Sequence, residues 1–121
     1  MEQLSVNILL GKVIYKIENL GDEMIFYCID ETRYKMFHQQ DCCESVTIED
    51  IAGDLDDLLH SPILKASEDM SHDNPEGISI PYQDSFTWTF YNLATMKGHV
   101  TIRWYGESNG YYSETVDFIK I

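Results

Sequence analysis

Short β-rich runs separated by turn residues open this chain, and they predict strands. Val13–Leu20 ends at the turn signal Gly21-Asp22. Met24–Asp30 follows, and a polar turn at Asp30–Thr32 leads into Arg33–Gln39, completing a three-stranded meander. The period then changes. Ile48, Ile51, Leu55 and Leu58 recur at i, i+3, i+7 and i+10, the stripe of a core-facing helix. Thr47 with Asp50 resembles a capping box, Glu49 and Asp50 suit a first turn, and Pro62 ends the run. Two features oppose the helix: Gly53, at about 1 kcal/mol in a helix interior, and the anions Asp56 and Asp57 in the last turn. Pro62–Ser67 reads as a short returning strand. Glu68–Gln83, with Asp73-Asn74-Pro75, Gly77 and Pro81, reads as a mobile surface loop.

The remaining residues predict a second meander of three strands. A three-residue loop at Met96–Gly98, with Gly98 left-handed, pairs Phe90 with Trp104, Asn92 with Ile102 and Ala94 with Val100. A similar loop at Ser108-Asn109-Gly110 pairs Ile102 with Val116 and Val100 with Phe118. One face of this sheet is then apolar, and the other carries Thr87, Thr89, Tyr91, Thr101, Arg103, Tyr105, Ser113, Thr115 and Asp117. The expected architecture is α+β. Two antiparallel meanders, the N-terminal and C-terminal three strands, pack on one amphipathic helix at about 48–59 in a single domain spanning 1–121.

Composition supports a folded core, with 44% apolar and 12% aromatic residues among 121. No apolar run approaches the roughly 20 residues of a membrane span, and the N-terminus lacks the pattern of a signal peptide. Of three cysteines, Cys42 and Cys43 are adjacent, so free thiols in a reducing, cytoplasmic setting are expected. The net charge of −13 is concentrated: between Met36 and Met96 stand twelve acids and one base, Lys65. Such a field repels nucleic acid and anionic lipid and attracts basic surfaces, which argues against direct nucleic-acid or membrane binding.

Three constellations carry chemistry. His38, Asp41, Cys42, Cys43 and Glu44 fall within seven residues, yet adjacent cysteines do not readily share one tetrahedral ion and no second pair completes a zinc site. A cysteine nucleophile with His38 as base is the catalytic reading, and a plain connection with one buried cysteine is the structural one. Asp50, Asp54, Asp56 and Asp57 lack the spacing of a calcium loop and read as a solvated face suited to a basic partner, with Asp41 and Glu44 beside it. Tyr91, Arg103, Tyr105 and Tyr111 form a candidate stacking platform for a nucleotide. No Gly-rich phosphate loop, Ser-His-Asp arrangement or dinucleotide fingerprint implies a cofactor.

Two blocks carry a resemblance. One runs from His38-Gln39-Gln40-Asp41-Cys42-Cys43-Glu44 into Ile48-Glu49-Asp50-Ile51-Ala52-Gly53-Asp54-Leu55. The other joins Trp88-Thr89-Phe90-Tyr91 to Arg103-Trp104-Tyr105-Gly106-Glu107-Ser108-Asn109-Gly110-Tyr111-Tyr112. Together they resemble a family of small phage and prophage proteins with no assigned activity, so no catalytic residue transfers. The resemblance implies a setting, a short phage accessory gene of the kind used against host defence. The leading expectation is therefore a non-enzymatic inhibitor whose acidic residues engage the basic surface of a host antiviral protein. A binder of a nucleotide signal, using the Arg103–Tyr105 platform in a homo-oligomer, is the second. A redox or hydrolytic enzyme built on Cys42, Cys43 and His38 is the third.

Overall fold

The computed structural model describes residues 2–121. Its strands form two four-stranded antiparallel sheets that face each other across one core. The first sheet joins β1 (Ile14–Asn19), β2 (Glu23–Cys28) and β3 (Arg33–Phe37) to β8 (Asp117–Lys120), in that order. The second joins β4 (Ser45–Ala52), β5 (Lys65–Ser71), β6 (Ser85–Thr95) and β7 (Gly98–Ser108) in the order β4-β7-β6-β5. Alternation explains the contact between them. Met24, Phe26 and Cys28 of β2 and Tyr34 and Met36 of β3 point inward, and so do Tyr91 and Leu93 of β6 and Val100, Ile102 and Trp104 of β7. Trp104 closes the gap, its indole N–H donating to the Met36 sulfur 3.3 Å away. Phe118 of β8 stacks on Tyr34 at 5.6 Å.

The α+β expectation is overturned, because among the described residues the only helical pieces are two 3-10 turns, Val6–Leu9 and Leu55–Leu58. The stripe at 48–59 has another cause. Register shifts between Ile48 and Asp50 against β7, so one extra residue in β4 brings Ile48 and Ile51 to the same side at a spacing of three. Gly53, at φ 105°, then turns the chain where a Cβ would stand 2.5 Å from the His99 carbonyl oxygen. Asp54 caps the 3-10 turn by accepting from the Asp56 N–H at 2.9 Å. With three residues per turn, Leu55 and Leu58 share a face. A bulged strand followed by a 3-10 turn thus reproduces a helical period.

The N-terminal meander is present as spaced, but the C-terminal one is not. The β6–β7 loop has two residues, Met96-Lys97, with Thr95 opposite Gly98 and Thr89 opposite Trp104. Gly98 is not left-handed. It lies against Asp57, whose Oδ2 would meet an added Cβ at 2.5 Å. This one-residue slip turns every β6 side chain over. Thr87, Thr89 and Tyr91 therefore join the buried face with Trp104, and Thr101, Arg103 and Tyr105 of the expected polar face stay on the outer side of this sheet, while Ser113, Thr115 and Asp117 lie beyond it. β8 does not return beside β7. It pairs with β3 in the other sheet, setting Met36 opposite Phe118. Residues 68–71, expected in a loop, complete β5.

Candidate functional site

The chain passes between the sheets twice, from β3 to β4 and from β7 to β8, and each passage is fastened by a buried glutamate. In the first, the Glu44 side chain is fully buried and accepts from the backbone N–H groups of Asp41 and Cys42, both at 2.9 Å. His38 Nε2 lies 2.7 Å from its Oε2. The other ring nitrogen, Nδ1, stands 2.7 Å from the Thr115 carbonyl oxygen and must donate to it. That bond ties the first passage to the second. The hydrogen bond from His38, joined by the two backbone donors, holds the Glu44 carboxyl down at about 2 against the opposing effect of burial. In the second passage, Glu114 accepts from the hydroxyls of Thr87, at 2.9 Å, and Ser108. Burial pushes its carboxyl upward, but the Ser108, Ser85 and Thr87 hydroxyls outweigh it and leave the group below its usual range. Gly106 makes room, since a Cβ there would collide with the Glu114 carbonyl.

The block richest in reactive side chains is therefore a clasp. His38 has both ring nitrogens engaged and has no free lone pair to activate a thiol. Cys42 and Cys43 are exposed, with their sulfurs side by side, and the buried cysteine is Cys28. Among the described residues, no cluster of His, Cys, Asp and Glu is arranged to hold a metal. An open cleft of about 320 Å³ lies beside the clasp, lined by Cys43, Ser45, Tyr105, Glu107 and Ser108.

The outer face of the second sheet holds the rest of the expected site residues. Arg103 is neutralised: its Nε lies 2.5 Å from Glu49 Oε2 and an Nη lies 3.9 Å from Asp50. Its guanidinium covers the Trp88 ring at 5.3 Å. Trp88 points outward yet is wholly buried, because residues 72–84 fold across it. The Trp88 indole donates to Asn74 at 3.1 Å, Asn74 and Gln83 exchange amide bonds, and Gln83 donates to the Tyr105 hydroxyl at 2.8 Å. That hydroxyl donates on to Glu107, also at 2.8 Å. Burial, together with Glu107, raises its pKa. Tyr91 is inside the core, its pKa pushed up by burial and by Glu68, and Tyr111 stands in the turn after β7 against Tyr112. The four expected platform residues are thus not brought together.

The acids fare differently. β4 is an edge strand, and Glu49 and Asp50 lie exposed on it. Asp54 and Asp56, also exposed, continue the line past Gly53. Asp41 precedes it, whereas Glu44 is sealed in the clasp and Asp57 is half-buried against the β6–β7 turn. Reading the sequence alone missed Glu114 and the Asn74–Gln83 pair. The one available signal was the stretch without an aliphatic residue between β7 and Val116.

No helix of the described residues is long and apolar enough to cross a membrane. No curated protein and no solved structure matches the chain. A family model described as Domain of unknown function (DUF7448) matches residues 7–118, which is nearly the whole chain, and the chain belongs to that family.

Proposed function

We propose that the protein acts by binding, with the acidic β4 edge and its continuation through Asp54 and Asp56 docking on a basic surface of a partner protein. The supporting observation is the line of exposed carboxylates Glu49, Asp50, Asp54 and Asp56 along one sheet edge, whose nearest cation, Arg103, is already engaged. Such an edge steers a basic partner by charge and refuses a second strand by repulsion. In the phage setting that the sequence blocks suggest, the partner is a host defence protein in the bacterial cytoplasm, and occupying its nucleic-acid-binding surface inhibits it. The enzyme reading loses ground because His38 is consumed in the clasp. The nucleotide platform at Arg103 loses ground because its cation is neutralised and Tyr91 is buried.

The test is affinity capture from the bacterial host with the natural protein and with Asp50→Lys/Asp54→Lys/Asp56→Lys, followed by a nucleic-acid-binding assay on the captured protein. Capture by the natural protein that falls steeply between about 0.05 and 0.5 M salt is expected, and loss in the variant. The captured protein should also lose its nucleic-acid binding. Equal capture by the variant, with its fold intact, would end this reading.

A further inference from the structure

The outer face of the first sheet carries a site of opposite character. Period-two alternation puts Met24, Phe26 and Cys28 in the core, so Tyr27 faces out, with Lys16 opposite it on β1 and Arg33 opposite it on β3. The bulge between Ile14 and Lys16 turns Tyr15 to the same side, its ring 6.2 Å from that of Tyr27. Tyr15 is 48% exposed, and Lys16 and Arg33 are exposed as well.

Most other charges on this face are occupied. Glu18 accepts from the Tyr27 hydroxyl, Lys35 stands 3.7 Å from Glu23, and Asp117 accepts from the Gln39 N–H at 3.0 Å. Lys16 and Arg33 remain, and among the described residues neither has an ion-pair partner. Lys16 holds its ammonium over the Tyr27 ring at 5.0 Å, a contact that leaves its outer side free for an anion. An exposed ring, Tyr15, packed beside a second ring, Tyr27, that is itself flanked by two unpaired cations is the chemistry that receives an aromatic base and its phosphate.

We infer that this face binds a free nucleotide, the base stacking on Tyr15 and the phosphates reaching Lys16 and Arg33. The net charge of −13 favours a small ligand over a strand of nucleic acid. A strand would carry many phosphates into the repulsive field, whereas a nucleotide brings a few to the two cations. This site shares no residue with the acidic β4 edge, so either proposal stands if the other fails.

The experiment is calorimetric titration of the intact protein with ATP, adenosine, ribose 5-phosphate and a short single-stranded oligothymidylate. Saturable ATP binding is expected, with adenosine and ribose 5-phosphate both weaker because each lacks half of the recognised group. Tyr15→Ala should weaken ATP binding about tenfold, the size of one lost stacking contact. Lys16→Glu/Arg33→Glu, two exposed positions, should weaken it at least as much while circular dichroism stays unchanged. Absence of saturation at millimolar ATP would overturn the proposal, as would equal affinity in both variants. Tighter binding of the oligonucleotide than of ATP would give the face to a polymer. Dimerisation that Lys16→Glu/Arg33→Glu abolishes would give it to a second copy. Either result overturns the assignment to a free nucleotide.

Discussion

The two sheets are built from the same number of strands, yet they differ in origin, in outer chemistry and in what covers them. The first takes three strands in sequence from a local meander and borrows the fourth from the C-terminus. Its strands carry four bases, Lys16, Arg33, Lys35 and Lys120, against three acids, Glu18, Glu23 and Asp117. The second places β7 between β4 and β6, and its strands carry five acids, Glu49, Asp50, Glu68, Asp69 and Glu107, against Lys65 and Arg103. Its outer tryptophan is roofed by a loop, whereas the outer tyrosines of the first sheet are left accessible. The contrast teaches that the −13 of the whole chain, most of it in the connecting segments, describes neither sheet's outer surface. A ligand meets one surface at a time.

If the sheets share one core, damage at their contact should undo both. Trp104 is completely buried in β7 and donates to Met36 of β3. Trp104→Ala should cost about 3–5 kcal/mol in urea unfolding, the largest effect expected in this molecule. Hydrogen exchange should accelerate in β2 and β3 as well as in β6 and β7. Exchange that quickened in the second sheet alone would show two cores where the packing shows one.

The clasp between the sheets sets the next scale. The Glu44 carboxyl is held at about 2 in the fold, below its ordinary 4.5, so its stabilising contribution is complete above pH 4.5 and disappears as pH falls towards 2. Glu114, also lowered, acts in the same direction. Glu44→Gln should therefore lower the thermal midpoint at neutral pH and flatten, without abolishing, its decline on acidification. A midpoint that fell with acid as steeply in Glu44→Gln as in the natural protein would mean that the buried pair contributes nothing to the junction.

The same contrast explains what the sequence disclosed. In β1–β3 the turns are local and each strand shows its neighbour directly, so Val13–Leu20, Met24–Asp30 and Arg33–Gln39 mark the strands within a few residues. The row of Lys16, Tyr27 and Arg33 across that meander follows from the strand register, which the glycine-free turn at Asp30–Thr32 does not announce. In the second sheet the decisive facts are non-local. Whether Met96 to Gly98 forms a loop of two or three residues depends on Asp57 pressing on Gly98 from another segment. Whether β8 follows β7 depends on the Glu114 passage crossing Gly106. Ile48 through Leu58 imitated a helix because a bulge and a 3-10 turn have spacings that add to its period. His38 through Glu44 drew catalytic and metal readings because partners such as Thr115 lie far along the chain.

The smallest effect tests the charge contrast itself. Arg103→Met keeps the aliphatic stem over Trp88 but leaves Glu49 and Asp50 without their cation. The Arg103–Glu49 pair is only partly exposed and its geometry is close, so about 0.5–1 kcal/mol should be lost at low salt. Most of that loss should return at about 1 M salt, where the screening length shrinks to about 3 Å and the crowded carboxylates stop repelling one another. Lys16→Met on the first sheet should change stability by less than about 0.5 kcal/mol, with no such salt dependence, because Lys16 neutralises no neighbour. Urea midpoints of both variants at low and high salt make the measurement. Equal salt responses would mean that the outer faces are electrostatically alike despite their different residues.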